Sequence, residues 1–222
     1  MELVVSHFNE DLNFLDKPEW KVYDKITIYT KSDIIPIIQN KNCEIYSLEN
    51  IGMCDHTYMY HICKNYENLK DVVTFIPASF STSQPKLLKF HKTYEKTIEL
   101  KKSVFCCSNE ERNVNLQTLN FILDEWYVTN PRNREKNSYS KLEPCHIRPF
   151  CKWYNENINE EYNKICCGGI FSVSIKDIMK RELSFYERLL NEFKYKNSEY
   201  AHYIERSWMA IFKIEDDCVY YY

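Results

Sequence analysis

Four short apolar runs punctuate the first third of the chain: Glu2 to Ser6 (ELVVS), Ile26 to Thr30 (ITIYT), Cys43 to Ser47 (CEIYS) and Val72 to Ile76 (VVTFI). Each has strand length, and Pro18 and Pro36 lie in the connections between them. One helical run, Asp55 to Tyr66, follows Gly52 and separates the third strand from the fourth. Strand, strand, strand, helix, strand is the order of an α/β fold with a mostly parallel central sheet flanked by helices. With 222 residues, 44% of them hydrophobic, the chain can bury one sizeable core, so a single domain spanning 1–222 is expected.

At 100° per residue, Tyr58, Met59, Ile62 and Tyr66 share one stripe of the first helix, and Asp55 falls within it. A carboxylate there either steadies the helix N-terminus through the dipole or faces a ligand. Lys86 to Lys102 reads as a second helix. From about 104 to 165 the pattern fades into a long polar excursion, with strand-like pieces such as Leu119 to Leu123 and a basic cluster, Arg132, Arg134 and Lys136, that reads as solvated loop.

Order returns at Gly168. Ile170 to Val173 is strand-like, and Ser174 with Asp177 and Ser184 with Glu187 have capping-box spacing, which predicts helices near 175 to 181 and 185 to 194. Asn197 or Ser198 caps a last helix running to about Phe212, and Glu215 to Tyr222 reads as a tail. On that last helix Ala201, Ile204, Trp208, Ile211 and Phe212 form the apolar side, with Glu205 at its edge and His202 one turn earlier. Glu205 is either a general base of raised pKa or a carboxylate paired with an arginine at the helix margin.

Basic and acidic residues nearly balance, 29 against 32, so neither nucleic acid nor an acidic membrane is implied as a partner. The start, MELVVSHFNEDL, lacks the apolar region of a secretion signal, and no apolar stretch approaches the length of a membrane helix. A cytoplasmic location follows, with the ten cysteines as free thiols. Cys54, His56, His61 and Cys63 are spread too far along one helix for a single zinc, since partners seven residues apart stand about 10 Å from each other. No nucleotide-loop, nucleophile-elbow or H-E-x-x-H motif occurs. With only three glycines, Gly52, Gly168 and Gly169 are each expected where a side chain does not fit.

Three segments carry a resemblance: VVSHFNEDLNFL with IYTK; NIGMCDHTYMYHICKNYENLKDVVTFI; and GGIFSVSIKDIMKR with FYERLL and HYIERSWMAIF. Together they resemble the domain-of-unknown-function family 3431, found in fungi, bacteria and giant viruses, which is similar to GT-A glycosyltransferases. For a viral member the location would be the host cytoplasm. The resemblance implies a nucleotide-sugar donor and a glycan or protein acceptor. It places the donor at His7, Asn9, Glu10 and Lys31 and the acceptor beside Gly168 and Gly169. It makes Glu205 the base, with His202 and Arg206 nearby.

Such folds hold a divalent cation, Mn or Mg, with an Asp-x-Asp motif after the strand that follows the helix. Here that strand ends Thr74-Phe75-Ile76-Pro77-Ala78-Ser79. Either Arg148 or Arg206 replaces the metal, or Asp55 or the pair Asp216-Asp217 supplies a ligand, or the protein is a non-catalytic carbohydrate-binding or protein-interaction module. A thiol-dependent enzyme is a third reading.

Overall fold

The computed structural model describes residues 1–111, 113–123 and 143–222. Its sheet comprises β1 (Glu2–His7), β2 (Lys25–Thr30), β3 (Cys43–Ser47), β4 (Val72–Pro77), β5 (Val104–Cys107), β6 (Phe171–Ser174) and β7 (Val219–Tyr221). The strand order is β3-β2-β1-β4-β6-β5-β7. Only β6 runs against its neighbours, β4 and β5; every other pairing is parallel. The helices are α1 (Met53–Asn65), α2 (Gln84–Leu100), α3 (Phe150–Asn157), α4 (Ile175–Ile178), α5 (Leu183–Leu190) and α6 (Glu199–Ile211).

All six residues of β1 and of β4 are buried, which requires cover on both faces of the sheet. Strand alternation divides the cover. Val4, Val73, Phe75, Phe171 and Val173 point to one side, where Tyr58, Met59 and Ile62 of α1 and Ile204 and Trp208 of α6 meet them. Leu3, Val5, Ile26, Ile28, Ile76 and Ile170 point to the other, against Trp20 from the β1–β2 connection and Phe90 of α2. The mostly parallel α/β architecture read from the first third of the sequence is the observed one.

The later chain departs from expectation in several places. The stretch that starts the polar excursion is instead a four-residue strand, β5, fully buried within the sheet. Leu119 to Leu123 forms no strand, while Phe150–Asn157 forms a helix that the sequence pattern missed. Ser174 does cap α4, accepting the Asp177 N–H at 3.2 Å, but the residue before α5 is Glu182, so Ser184 caps nothing. Ser198 caps α6. The last residues are not a tail: β7 pairs with β5, and Asp216 and Asp217 form ion pairs with Lys164 and Lys102. Arg132, Arg134 and Lys136 lie outside the described residues.

β1 has β2 and β3 on one side and β4 on the other, so the chain reverses its direction of travel across the sheet between β1 and β4. Open α/β sheets bind ligands at the carboxyl ends of the strands where such a reversal occurs. Because β6 is antiparallel to β4, with Phe171 beside Phe75, the residues that lead into β6 arrive at this same edge.

Candidate functional site

Five segments meet at that edge. β1 delivers His7 and the loop behind it. His7 Nδ1 lies 3.0 Å from Thr30 Oγ1 and Nε2 lies 3.1 Å from the Glu10 carbonyl oxygen, which holds the ring. The Glu10 carboxylate folds back to accept the N–H groups of Phe8 at 2.8 Å and Asn9 at 3.2 Å. Asn9 Oδ1 accepts from Ser32 Oγ at 2.8 Å, joining the loop after β1 to the loop after β2.

Lys31, the first residue after β2, carries this junction inward. Its N–H donates to the His7 carbonyl at 2.9 Å, and its buried ammonium donates to the carbonyls of Ile51 and Met53 where α1 begins. Burial pulls that ammonium down to about 8, with Cys54 and Asp55 acting in the opposite sense. Ser6 and Thr57 hydroxyls, 3.0 Å apart, fasten β1 to the same turn of α1.

Asp55 in the first turn of α1 is 2% exposed. Trp208 Nε1–H donates to its Oδ1 at 2.7 Å, and the Cys54 thiol lies 3.7 Å from Oδ2. Burial, then the Glu205 carboxylate, pushes Asp55 up to about 8, and the Trp208 bond only partly offsets this. The shift favours the protonated form of Asp55.

Glu205 behaves in the opposite way, as the arginine-paired alternative for it anticipates and not as the raised-pKa one does. Burial favours its neutral form. That effect is outweighed by His202 Nδ1, 3.7 Å from Oε2, by Arg206 at the same distance, and by the Gly168 N–H donating to Oε1 at 2.7 Å. It therefore stays ionised below the usual carboxylate range. Two carboxyl groups close enough to feel each other's charge are driven apart, one neutral and one charged.

Gly168 and Gly169 form the fifth segment. Both have positive φ, +94° and +63°, which favours glycine. A Cβ on Gly169 would stand 2.8 Å from Cys54 Sγ, whereas one on Gly168 would meet nothing within 4 Å. The Gly169 carbonyl accepts from Tyr58 O–H at 2.8 Å. The segment is thus pinned to α1 and α6 at once.

Of the residues named from sequence, Lys31, Asp55, Gly168, Gly169, His202, Glu205 and Arg206 come together, and the His7, Asn9 and Glu10 loop adjoins them through Lys31. Arg206 lies over the Phe121 ring, 3.8 Å from its centroid. Arg148 belongs elsewhere: its Nε is 2.8 Å from the buried Glu199 at the start of α6, six residues and about 9 Å of helix from Glu205. Sequence reasoning missed Trp208, Cys54 and Tyr58 as members of the site. Trp208 at i+3 from Glu205 was the one available signal, and it read as core.

The residues present do not fit the divalent cation that the resemblance implied. Among the described residues no three His, Cys, Asp or Glu side chains gather to hold a metal ion. Asp55 is buried and already accepts two hydrogen bonds, and Asp216 and Asp217 are engaged by Lys164 and Lys102.

A family model described as "Protein of unknown function (DUF3431)" matches residues 3–221. No curated protein matches the chain.

Proposed function

This chain belongs to the DUF3431 family, and on that premise we propose that it is a glycosyltransferase taking a nucleotide-sugar donor and a glycan or protein acceptor. The observation that carries the reading is the Asp55 and Glu205 pair, held by Trp208 and the Gly168 N–H and shifted in opposite directions, at the edge where β1 and β4 part. The GT-A resemblance of the sequence points to the same residues.

In this reading the donor lies along the His7 to Glu10 loop and Lys31, and the acceptor lies beside Gly168 and Gly169. An acceptor hydroxyl attacks the anomeric carbon, the bond from that carbon to the diphosphate oxygen breaks, and the hydroxyl proton passes to Glu205. Nucleoside diphosphate leaves. Asp55 keeps its proton throughout and, with Trp208, fixes the orientation of the pair. Arg206 and His202 hold Glu205 in its charged form. With no cation site among the described residues, the leaving group's charge falls to Lys31 and Lys86, both near enough to Cys54 for their charges to act on it.

The reaction is assigned to the cytoplasm, in keeping with ten cysteines that are all free. Among the described residues no helix is long and apolar enough to cross a membrane. A second reading, a non-catalytic carbohydrate-binding or protein-interaction module, is favoured by one observation: β4 leaves the sheet through Pro77 and Ala78 with no carboxylate.

Thermal shift with uridine and guanosine diphosphates, with and without manganese, separates the two. The transferase reading expects stabilisation by one nucleotide, undiminished without manganese, and release of nucleoside diphosphate from the matching nucleotide-sugar. No stabilisation by any nucleotide sinks it.

A further inference from the structure

Away from Asp55 and Glu205, a cavity of about 190 Å³ opens between the second half of α1 and the β2–β3 margin of the sheet. Tyr29, Tyr46 and Tyr60 provide its rings, and Lys25, Lys64 and Asn65 provide its charge and donors. Lys64 and Asn65 stand nine and ten residues along α1 from Asp55, about 14 Å of helix away. The cavity is a separate place on the molecule.

Its walls are set in advance. Tyr29 and Tyr46 stack with ring centroids 5.7 Å apart at 30°, and Tyr60 stands edge-on to Tyr29 at 5.6 Å. Behind them His61 is completely buried, its Nδ1 3.1 Å from Tyr29 Oη and 3.3 Å from Asn65 Nδ2. An amide nitrogen can only donate, so Nδ1 faces Asn65 as an acceptor, while Nε2 lies 3.6 Å from the buried Glu2 carboxylate. Tyr29 and Asn65 are therefore oriented from behind by one imidazole. A wall held this way loses little freedom when a ligand arrives.

Charge narrows what it takes. The lining contains two lysines and no carboxylate. Lys25 bridges Glu44 at 3.1 Å and Glu2 at 3.9 Å, but Lys64 is exposed and has no ion-pair partner among the described residues. Tyr46 is 49% exposed, its hydroxyl donating to Glu44 Oε2 at 3.0 Å. The space admits one six-membered ring with its substituents, well short of a dinucleotide.

We propose that this cavity binds a single sugar ring bearing an anionic group, a uronate carboxylate or a sugar phosphate. The ring packs on the tyrosines, its hydroxyls bond Asn65, and its anion meets Lys64. The site needs no nucleotide and stands whether or not the transfer reading holds.

The test titrates glucuronate, glucose 6-phosphate and glucose into the full chain, read by saturation-transfer NMR. Tyr46→Ala and Lys64→Ala alter exposed side chains and leave the fold intact. The anionic sugars are expected to bind roughly fivefold or more tightly than glucose, and each variant to weaken them by a similar factor. The stronger of the carboxylate and phosphate arms identifies the anion. Glu205→Gln and added uridine diphosphate are expected to change nothing. Three outcomes overturn the proposal: no transfer to either anionic sugar at millimolar concentration, undiminished binding in both variants, or displacement by uridine diphosphate, which assigns the sugar to the Asp55 and Glu205 site instead.

Discussion

Trp208 donates its indole N–H to Asp55 across 153 residues of chain and only 2.7 Å of space, and this bond closes the buried side of the carboxyl pair. Replacing Trp208 by Phe keeps most of the ring and removes the donor. The buried Asp55 oxygen then lacks a partner, which costs about 1–3 kcal/mol. Chemical denaturation should register that loss, and Asp55→Asn in the same background should recover none of the bond.

Asp55 makes stability pH-dependent in a defined direction. Its folded pKa, about 8, lies above its unfolded value, so the folded chain binds the extra proton between roughly pH 4 and pH 8. Stability from this group is complete below the unfolded pKa and is lost as pH rises through 8. Asp55→Asn, which cannot ionise, should therefore gain on the wild type by at least about 1 kcal/mol between pH 5 and pH 8.5. An unchanged difference across that range would show that Asp55 is ionised in the folded protein.

Glu205→Gln is expected to abolish sugar transfer, by about 100-fold or more, without unfolding the chain. The glutamine carbonyl can still accept the Gly168 N–H, so thermal stability should move little. Wild-type turnover in the variant would remove Glu205 as the base.

The two glycines separate strain from collision. Gly168→Ala has open space and pays only for its positive φ, about 1 kcal/mol or more. Gly169→Ala adds a clash with Cys54 Sγ and should be the more destabilising of the two. Cys54→Ala should restore part of the second loss and none of the first, measurable by denaturant midpoints.

The thiol-dependent reading expects one fast cysteine. Burial pushes the Cys43 thiol up to about 11 and Cys63 up to about 12, while Cys54 is raised further by burial with Asp55 and Glu205. Cys166 is the exception. Burial opposes its ionisation, but Cys107 and the Lys89 ammonium, 3.1 Å away, pull it down; it is nevertheless 2% exposed. Alkylation of Cys43, Cys54, Cys63 and Cys166 in the folded protein at pH 7 should run at least about tenfold slower than that of a free thiol. A cysteine that reacts within seconds would revive the reading.

The legible parts of the sequence were those governed by neighbours. β1 to β4 announced themselves because alternation and turn residues act within a few positions. β5 and β7 did not, since VFCC and VYY are too short to show a period and owe their pairing to partners over a hundred residues apart. Asp55 was visible as a carboxylate on an apolar stripe. The sign of the Glu205 shift was legible only in part: His202 one turn earlier was visible from helix spacing, but the Gly168 N–H that joins it comes from a segment 37 residues away.

The reversed strand has a kinetic consequence. Thr74 waits for Ser172, 98 residues later, before β4 gains its second neighbour. As the chain is synthesised, VVTFIP pairs with β1 and then presents an apolar edge to the solvent until β6 emerges. Such an edge is a template for strands from other chains. Expression yield should therefore depend on how fast the stretch between the two strands is translated, and slow synthesis there would favour aggregates nucleated at β4.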